Sequence, residues 1–231
     1  MAEGYAAAAQ RGPALDVQKL GGSAGLGFVA GIILQNAVLS RGGPLPDAGL
    51  QEVVDHYAEA GIGARLTVAL VAVNMLLLFL FAAAARSRLS AVTGAEVPSR
   101  IGLMGVVLLS ATFGATALFQ SVLIAGGSNL ASSPDTTKLL WDLHTGSLIL
   151  SQLSLGLALL GFASAAFVAR TLTPRWLAQI GMVGGALLIV SGSLPFSAIE
   201  GSKTFFLGFP GFFIWIAWLA TAGATMFKTK G

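Results

Sequence analysis

The chain has 231 residues, 55% of them hydrophobic and 10% charged, with 30 glycines, no cysteine and a formal net charge of +3. A soluble domain carries about 25% charged residues, so this composition, with a mean hydropathy of +0.81, excludes a water-soluble globule and indicates a lipid-embedded chain. Thiol catalysis, iron–sulfur clusters, cysteine-ligated zinc and a disulfide framework are excluded with the cysteines.

Residues 1–20 lack a basic segment ahead of an apolar run and read as a cytoplasmic tail rather than a signal peptide. A helix crossing the bilayer needs about 20 mostly apolar residues. Six stretches meet this, at 21–40, 64–85, 101–125, 143–169, 177–198 and 205–227, with a cytoplasmic tail at 228–231. Alternation of period two is absent over these runs, which predicts an all-α polytopic bundle of six transmembrane helices rather than a β-barrel.

In chain order, the first span holds Gly27-Phe28-Val29-Ala30-Gly31 and ends at Gln35-Asn36. A short helix at about 48–60 follows, with Asp47 as its expected N-cap and Gly61 as its stop. Leu50, Val53, Val54 and Tyr57 share its apolar face, and Glu52, Asp55 and Glu59 lie opposite, as in an amphipathic helix that covers the bundle end or acts as a lid or a partner-docking element. Asn74 lies in the second span, and Thr112, Thr116 and Gln120 recur every four residues in the third. The fourth opens on Trp141-Asp142-Leu143-His144, and His144, Ser147, Ser151 and Ser154 share a face. The fifth carries Gly181-Met182-Val183-Gly184-Gly185 and a third stripe, Ser193, Ser197 and Glu200. The sixth is dense in aromatics, namely Phe205, Phe206, Phe209, Phe212, Phe213, Trp215 and Trp218; the outer ones read as an interfacial belt, with a lipid or quinone groove as the alternative. Pro210 is expected to bend it.

Basic residues favour the cytoplasmic side of a membrane. Nine of the thirteen (Arg11, Lys19, Arg86, Arg88, Arg100, Arg170, Arg175, Lys228 and Lys230) fall on the side of the termini, and Arg41, Arg65, Lys138 and Lys203 on the other. Seven of the ten acids take that second side, giving about +6 against −3. Both termini are therefore expected in the cytoplasm, with the protein integral to the cell (inner) membrane. The excess of positive charge is a topology signal and no nucleic-acid footprint.

Polar groups inside spans are costly and invite a functional reading. By the predicted topology, Gln35, Asn36, Gln120, His144, Ser147, Ser197 and Glu200 all lie in the outer half, with His56 and Asp142 near the rim. They define a candidate outward-facing pocket for a small polar ligand or an ion, against the plainer alternative of interhelical hydrogen bonding. His144 and Glu200 form a candidate proton-linked pair. No metal is expected, since His56, His144, Asp55, Asp142 and Glu200 follow no zinc-ligand spacing. No cofactor is implied either. Gly27, Gly31, Gly181 and Gly185 are candidate helix-packing positions, within the chain or toward a partner.

The Gln35-Asn36 pair, the short acidic helix, Trp141-Asp142-Leu143-His144 and Pro210-Gly211-Phe212-Phe213-Ile214-Trp215 resemble bacterial six-helix membrane proteins of unknown function, the domain-of-unknown-function 4386-like group. That resemblance implies a six-helix fold over most of the chain and carries no activity or site residue. With no nucleophile elbow, phosphate loop or dinucleotide fingerprint, the expected role is a non-enzymatic accessory or assembly subunit of a larger membrane complex, partnered by lipid and by other subunits or itself. The alternative is a small transporter, channel or receptor that uses the outer pocket. A lipid- or quinone-active enzyme ranks third.

Overall fold

The computed structural model describes residues 16–39 and 43–228; most of the two predicted tails, with Glu3, Arg11 and Lys230, lies outside the described residues, as does Arg41. Eight α-helices occur among the described residues, and no strand. Six of the helical stretches are long and apolar enough to cross a membrane, so the chain is an integral membrane protein of the all-α bundle class.

Helix α1 (Val17–Ile33) starts four residues before the expected span, because the Asp16 side chain caps it, accepting from the Gln18 and Lys19 backbone N–H groups at 3.1 Å each. It continues as a π-helical turn, Leu34–Leu39. Helix α2 (Leu50–Ala58) is the predicted loop helix, shorter at both ends. Its N-cap is Gly49 with no side-chain bond, since Asp47 is held in the turn after Pro46, and Gly61 begins the next helix instead of ending this one. Helices α3 (Ile62–Leu89), α4 (Glu96–Gly126, followed by a 3-10 turn at Gly127–Ser132) and α5 (Pro134–Ala169) are long, and Pro134 occupies the first turn of α5 where its missing N–H is harmless.

The predicted fifth span is cut short. Helix α6 (Arg175–Gly192) ends before Pro195, which starts the five-residue α7 (Pro195–Ile199), and a 3-10 turn at Lys203–Leu207 leads into α8 (Gly208–Lys228). A proline inside a continuing helix would delete a hydrogen bond and clash with the preceding turn, so the chain breaks there. The Ser193–Glu200 stripe therefore does not exist as one helical face. Pro210 makes no bend, because it sits in the first turn of α8, where no backbone donor is needed.

The six spanning helices close into a ring in the order α1, α3, α4, α5, α6, α8 and back to α1. Glycine brings the walls together. A Cβ on Gly105 of α4 would meet the Ala158 Cα of α5 at 2.7 Å, and one on Gly156 of α5 would meet the Gly185 carbonyl of α6 at 2.7 Å. All four predicted packing glycines face the same chain: Gly27 meets Leu77, Gly31 abuts Asn74, Gly181 faces Ala163 and Trp218, and Gly185 faces Leu160. In lipid, where apolar side chains gain nothing by leaving their surroundings, such close backbone approach is what holds helices together.

The middle of the ring is filled by aromatic rings. Phe81 of α3, Phe162 of α5 and Trp218 of α8 lie 6.3–6.5 Å apart by centroid, and Phe28 of α1 meets Trp215 of α8 edge-on at 5.0 Å. Trp215 and Trp218 are thus interior. Phe213, by contrast, points out of the bundle. Both ends of the described chain lie at one end of the ring, where a Cβ on Gly22 of α1 would touch the Phe227 backbone of α8. That end carries Lys19, Arg86, Arg88, Arg100, Arg170, Arg175 and Lys228. The opposite end carries α2, α7 and most of the carboxylates.

Candidate ligand-binding site

The site lies at the end opposite the termini and begins with the π turn. A wide turn carries one residue more than an α-turn, and such turns recur at functional sites. Here the adjacent Gln35 and Asn36 both line one cavity. Gln35 is buried and its Oε1 accepts from Asn74 Nδ2 of α3 at 2.9 Å, while Asn36 Nδ2 donates to the Ile32 carbonyl at 2.9 Å.

The opposite wall is built where the two polar stripes of α4 and α5 meet. Thr116 Oγ1 donates to Ser147 Oγ at 3.0 Å, and Thr112 and Ser154 approach at 3.5 Å. Above these contacts, Gln120 and His144 line the same cavity as Gln35 and Asn36. Helix α2 closes the end by seating Val53, Val54 and Tyr57 against Leu123, Leu130 and Trp141, the predicted use of its apolar face. Four rings then run along one wall: His56 on Tyr57 at 5.0 Å, Tyr57 on Trp141 at 6.5 Å, and Trp141 stacked on His144 at 5.0 Å. The cavity has a volume of about 510 Å³, within the range of small-molecule sites.

The electrostatics are one-sided. Glu59 is the single carboxylate among the described lining residues, and they include neither Lys nor Arg. Partial burial holds His56 below its ordinary value, with Glu52 opposing the shift, so it faces the cavity as a neutral ring near pH 7. Burial pushes Tyr57 up to about 12. His144 Nδ1 and Trp141 Nε1 are sealed from solvent without a hydrogen-bond partner, an uncommon expense for buried polar atoms.

Beneath lies a second cavity of about 280 Å³, which shares Asn36, Pro44, Phe113 and Leu148 with the first. Its wall is mostly apolar, with residues from all six spans, including Phe28, Met75, Leu109, Leu155, Leu188 and Trp215. Phe205, Phe209, Phe212 and Trp215 fall on one helical face that turns into this space, which explains the aromatic density of the last span. Its polar members are Asn36, Ser151 and Gln152, the last of which accepts from Ser191 Oγ at 2.6 Å.

Of the eight residues assigned to an outer pocket, Gln35, Asn36, Gln120 and His144 are brought together, with His56 across from them. The other four are elsewhere. Asp142 forms a pair with Lys138 Nζ at 2.6 Å on the outside of α5, and Ser147 is engaged by Thr116. Ser197 and exposed Glu200 belong to the α7 segment that Pro195 splits from the fifth span, so the His144–Glu200 pair does not form. No three His, Asp or Glu side chains gather closely enough for a metal ion among the described residues. Lining residues missed in the sequence include Tyr57, Glu59, Phe113 and Trp141; for Trp141, its place three residues before His144, on the same helical face, was the signal.

Compared with family models, with curated proteins and with solved structures, the chain gives no significant match. The functional reading rests on the geometry of the cavity.

Proposed function

We propose that this protein is a membrane receptor or carrier that binds a small ligand in the cavity under α2, with both termini in the cytoplasm and the cavity opening to the outside of the cell membrane. The observation that carries this reading is the convergence of Gln35, Asn36, Gln120 and His144 from three different spans on one cavity of about 510 Å³. Thr116 and Ser147 are spent on each other, and Gln35 on Asn74, whereas Gln120 and His144 line the cavity.

An accessory-subunit role drew support from small-residue faces, and all four of those glycines face helices of the same chain. The orientation follows from the excess of Lys and Arg at the end where the termini meet.

The test is extraction of the full-length protein from its native membrane in mild detergent, with native mass spectrometry of the complex. A stoichiometric small molecule that is retained by the natural chain and lost from the Gln35→Leu/Gln120→Leu double variant supports the reading. A bare chain that co-purifies with other membrane subunits, unaffected by those substitutions, overturns it. Orientation is read separately: the chain has no cysteine, so single cysteines at Glu59 and Arg170 report by impermeant labelling of whole cells. Labelling at position 59 alone is expected.

A further inference from the structure

The polar cavity and the apolar one adjoin, with Asn36, Pro44, Phe113 and Leu148 bordering both. A ligand small enough for the mouth alone would leave the deeper 280 Å³ empty. A wholly apolar one would leave the Gln35, Asn36 and Gln120 amides facing hydrocarbon, which is costly. The occupant that matches both levels is an amphiphile.

The mouth also selects the sign of the head. Glu59 borders it, Glu52 and Asp55 stand exposed on the same short helix, and no Lys or Arg is among the described lining residues. An anionic head would meet like charge from these carboxylates, and a cation would meet opposite charge. The wall of four rings acts in the same direction, because the face of an aromatic ring attracts a cation within about 6 Å of its centre, most strongly for Trp and when the pair is desolvated. Tyr57 and Trp141 meet edge to face in that wall, with centroids 6.5 Å apart, and His144 stacks on Trp141.

We propose that the site takes an amphiphilic organic cation, with a quaternary or tertiary ammonium head between Glu59 and the Tyr57–Trp141 wall and an unbranched apolar tail reaching down toward Met75 and Leu188. This rests on the ligand-binding reading and names its ligand class. At about 30 Å³ per water-sized group, the deeper space holds a tail of roughly nine carbons.

The experiment titrates full-length protein in lipid nanodiscs with tetramethyl-, butyltrimethyl-, hexyltrimethyl- and octyltrimethylammonium. Octanol and octyl sulfate are the matched neutral and anionic probes, and binding is followed by tryptophan fluorescence against free aqueous probe. Affinity is expected to rise along the ammonium series by up to about fourfold per methylene, with octyl sulfate weaker than octyltrimethylammonium by about tenfold or more. Glu59 is exposed, so Glu59→Gln leaves the fold alone and weakens the ammonium probe by about two- to fivefold without changing octanol. Equal affinity for all three octyl probes overturns the assignment of charge and leaves the ligand-binding reading standing. A flat response to chain length overturns the assignment of the tail. If no probe binds to protein that does retain a cellular ligand by mass spectrometry, the proposal fails as a whole. Failure of the underlying reading is different, and shows as no retained ligand at all.

Discussion

Two glycines of α4, nine residues apart, predict opposite outcomes for the same substitution. An alanine Cβ at position 105 would lie 2.7 Å from the Ala158 Cα and 2.8 Å from the Leu157 carbonyl carbon of α5. Carbon atoms pack best at about 3.5–4.0 Å, so the two helices must part by roughly 1 Å at the crossing. Both clashing atoms are backbone, and no rotamer change relieves the contact. Overpacking of this kind costs about 1–3 kcal/mol. At position 114 a Cβ meets nothing within 4 Å. There the substitution changes only helix propensity, which favours alanine by up to about 1 kcal/mol. Gly105→Ala and Gly114→Ala should therefore straddle the natural protein in an unfolding titration from mild detergent into SDS, followed by tryptophan fluorescence. If Gly105→Ala is as stable as Gly114→Ala, the account of glycine as the device that closes the ring is wrong.

The Asn74–Gln35 hydrogen bond should give a coupling of about 0.6 kcal/mol, and no more than about 1.7, in a double-mutant cycle of Asn74→Ala with Gln35→Ala in the same unfolding assay; a coupling of zero would mean that the two amides do not pair. For α2, burial depresses His56 below the 6.5 of an exposed imidazole, so the unfolded form binds the proton more readily. Docking of α2 is at full strength above about pH 6.5 and weakens as pH falls through the lowered folded value. Hydrogen exchange of α2 amides, corrected for intrinsic rates, should show this loss in the natural protein and not in His56→Gln, and identical pH profiles for the two would refute it. Tyr57, raised by burial to about 12, stabilises docking fully below about pH 10 and ceases to do so as pH rises through about 12. Ultraviolet titration that finds it ionised near 10 in the folded protein would show that its ring is not buried.

Spans, ring-closing glycines and the apolar face of α2 were legible because each is a local property, namely apolar length, small residues at helical spacing and a 3.6-residue period. The site was half legible. Gln35, Asn36, Gln120 and His144 were recognised by depth, since polar residues at one level of different helices must meet something. Asp142 shares that depth and lies on the wrong face of α5, where Lys138 one turn away claims it. Ser197 and Glu200 were misplaced because a stripe presumes an unbroken helix, and Pro195 breaks it. The π turn at Leu34–Leu39 leaves no mark in composition, although two of the cavity's amides, Gln35 and Asn36, lie in it. The inward aromatic face of α8 shows the same ambiguity, because belt and lumen demand the same residues and only the partners of that face decide between them.

The cluster of Phe81, Phe162 and Trp218 also bears on how this protein would respond to voltage. A polar inlet open to one side carries that side's potential inward, and the drop across the bilayer is concentrated over the sealed section beyond it. An ammonium head held near Glu59 sits outside that section and senses almost none of the field. Its affinity should then be nearly independent of membrane potential. Movement of the same charge past the three rings would traverse nearly the whole drop, about 2.3 kcal/mol for each 100 mV. Any current or flux through this protein should thus be steeply voltage-dependent, even though occupancy of its site is not.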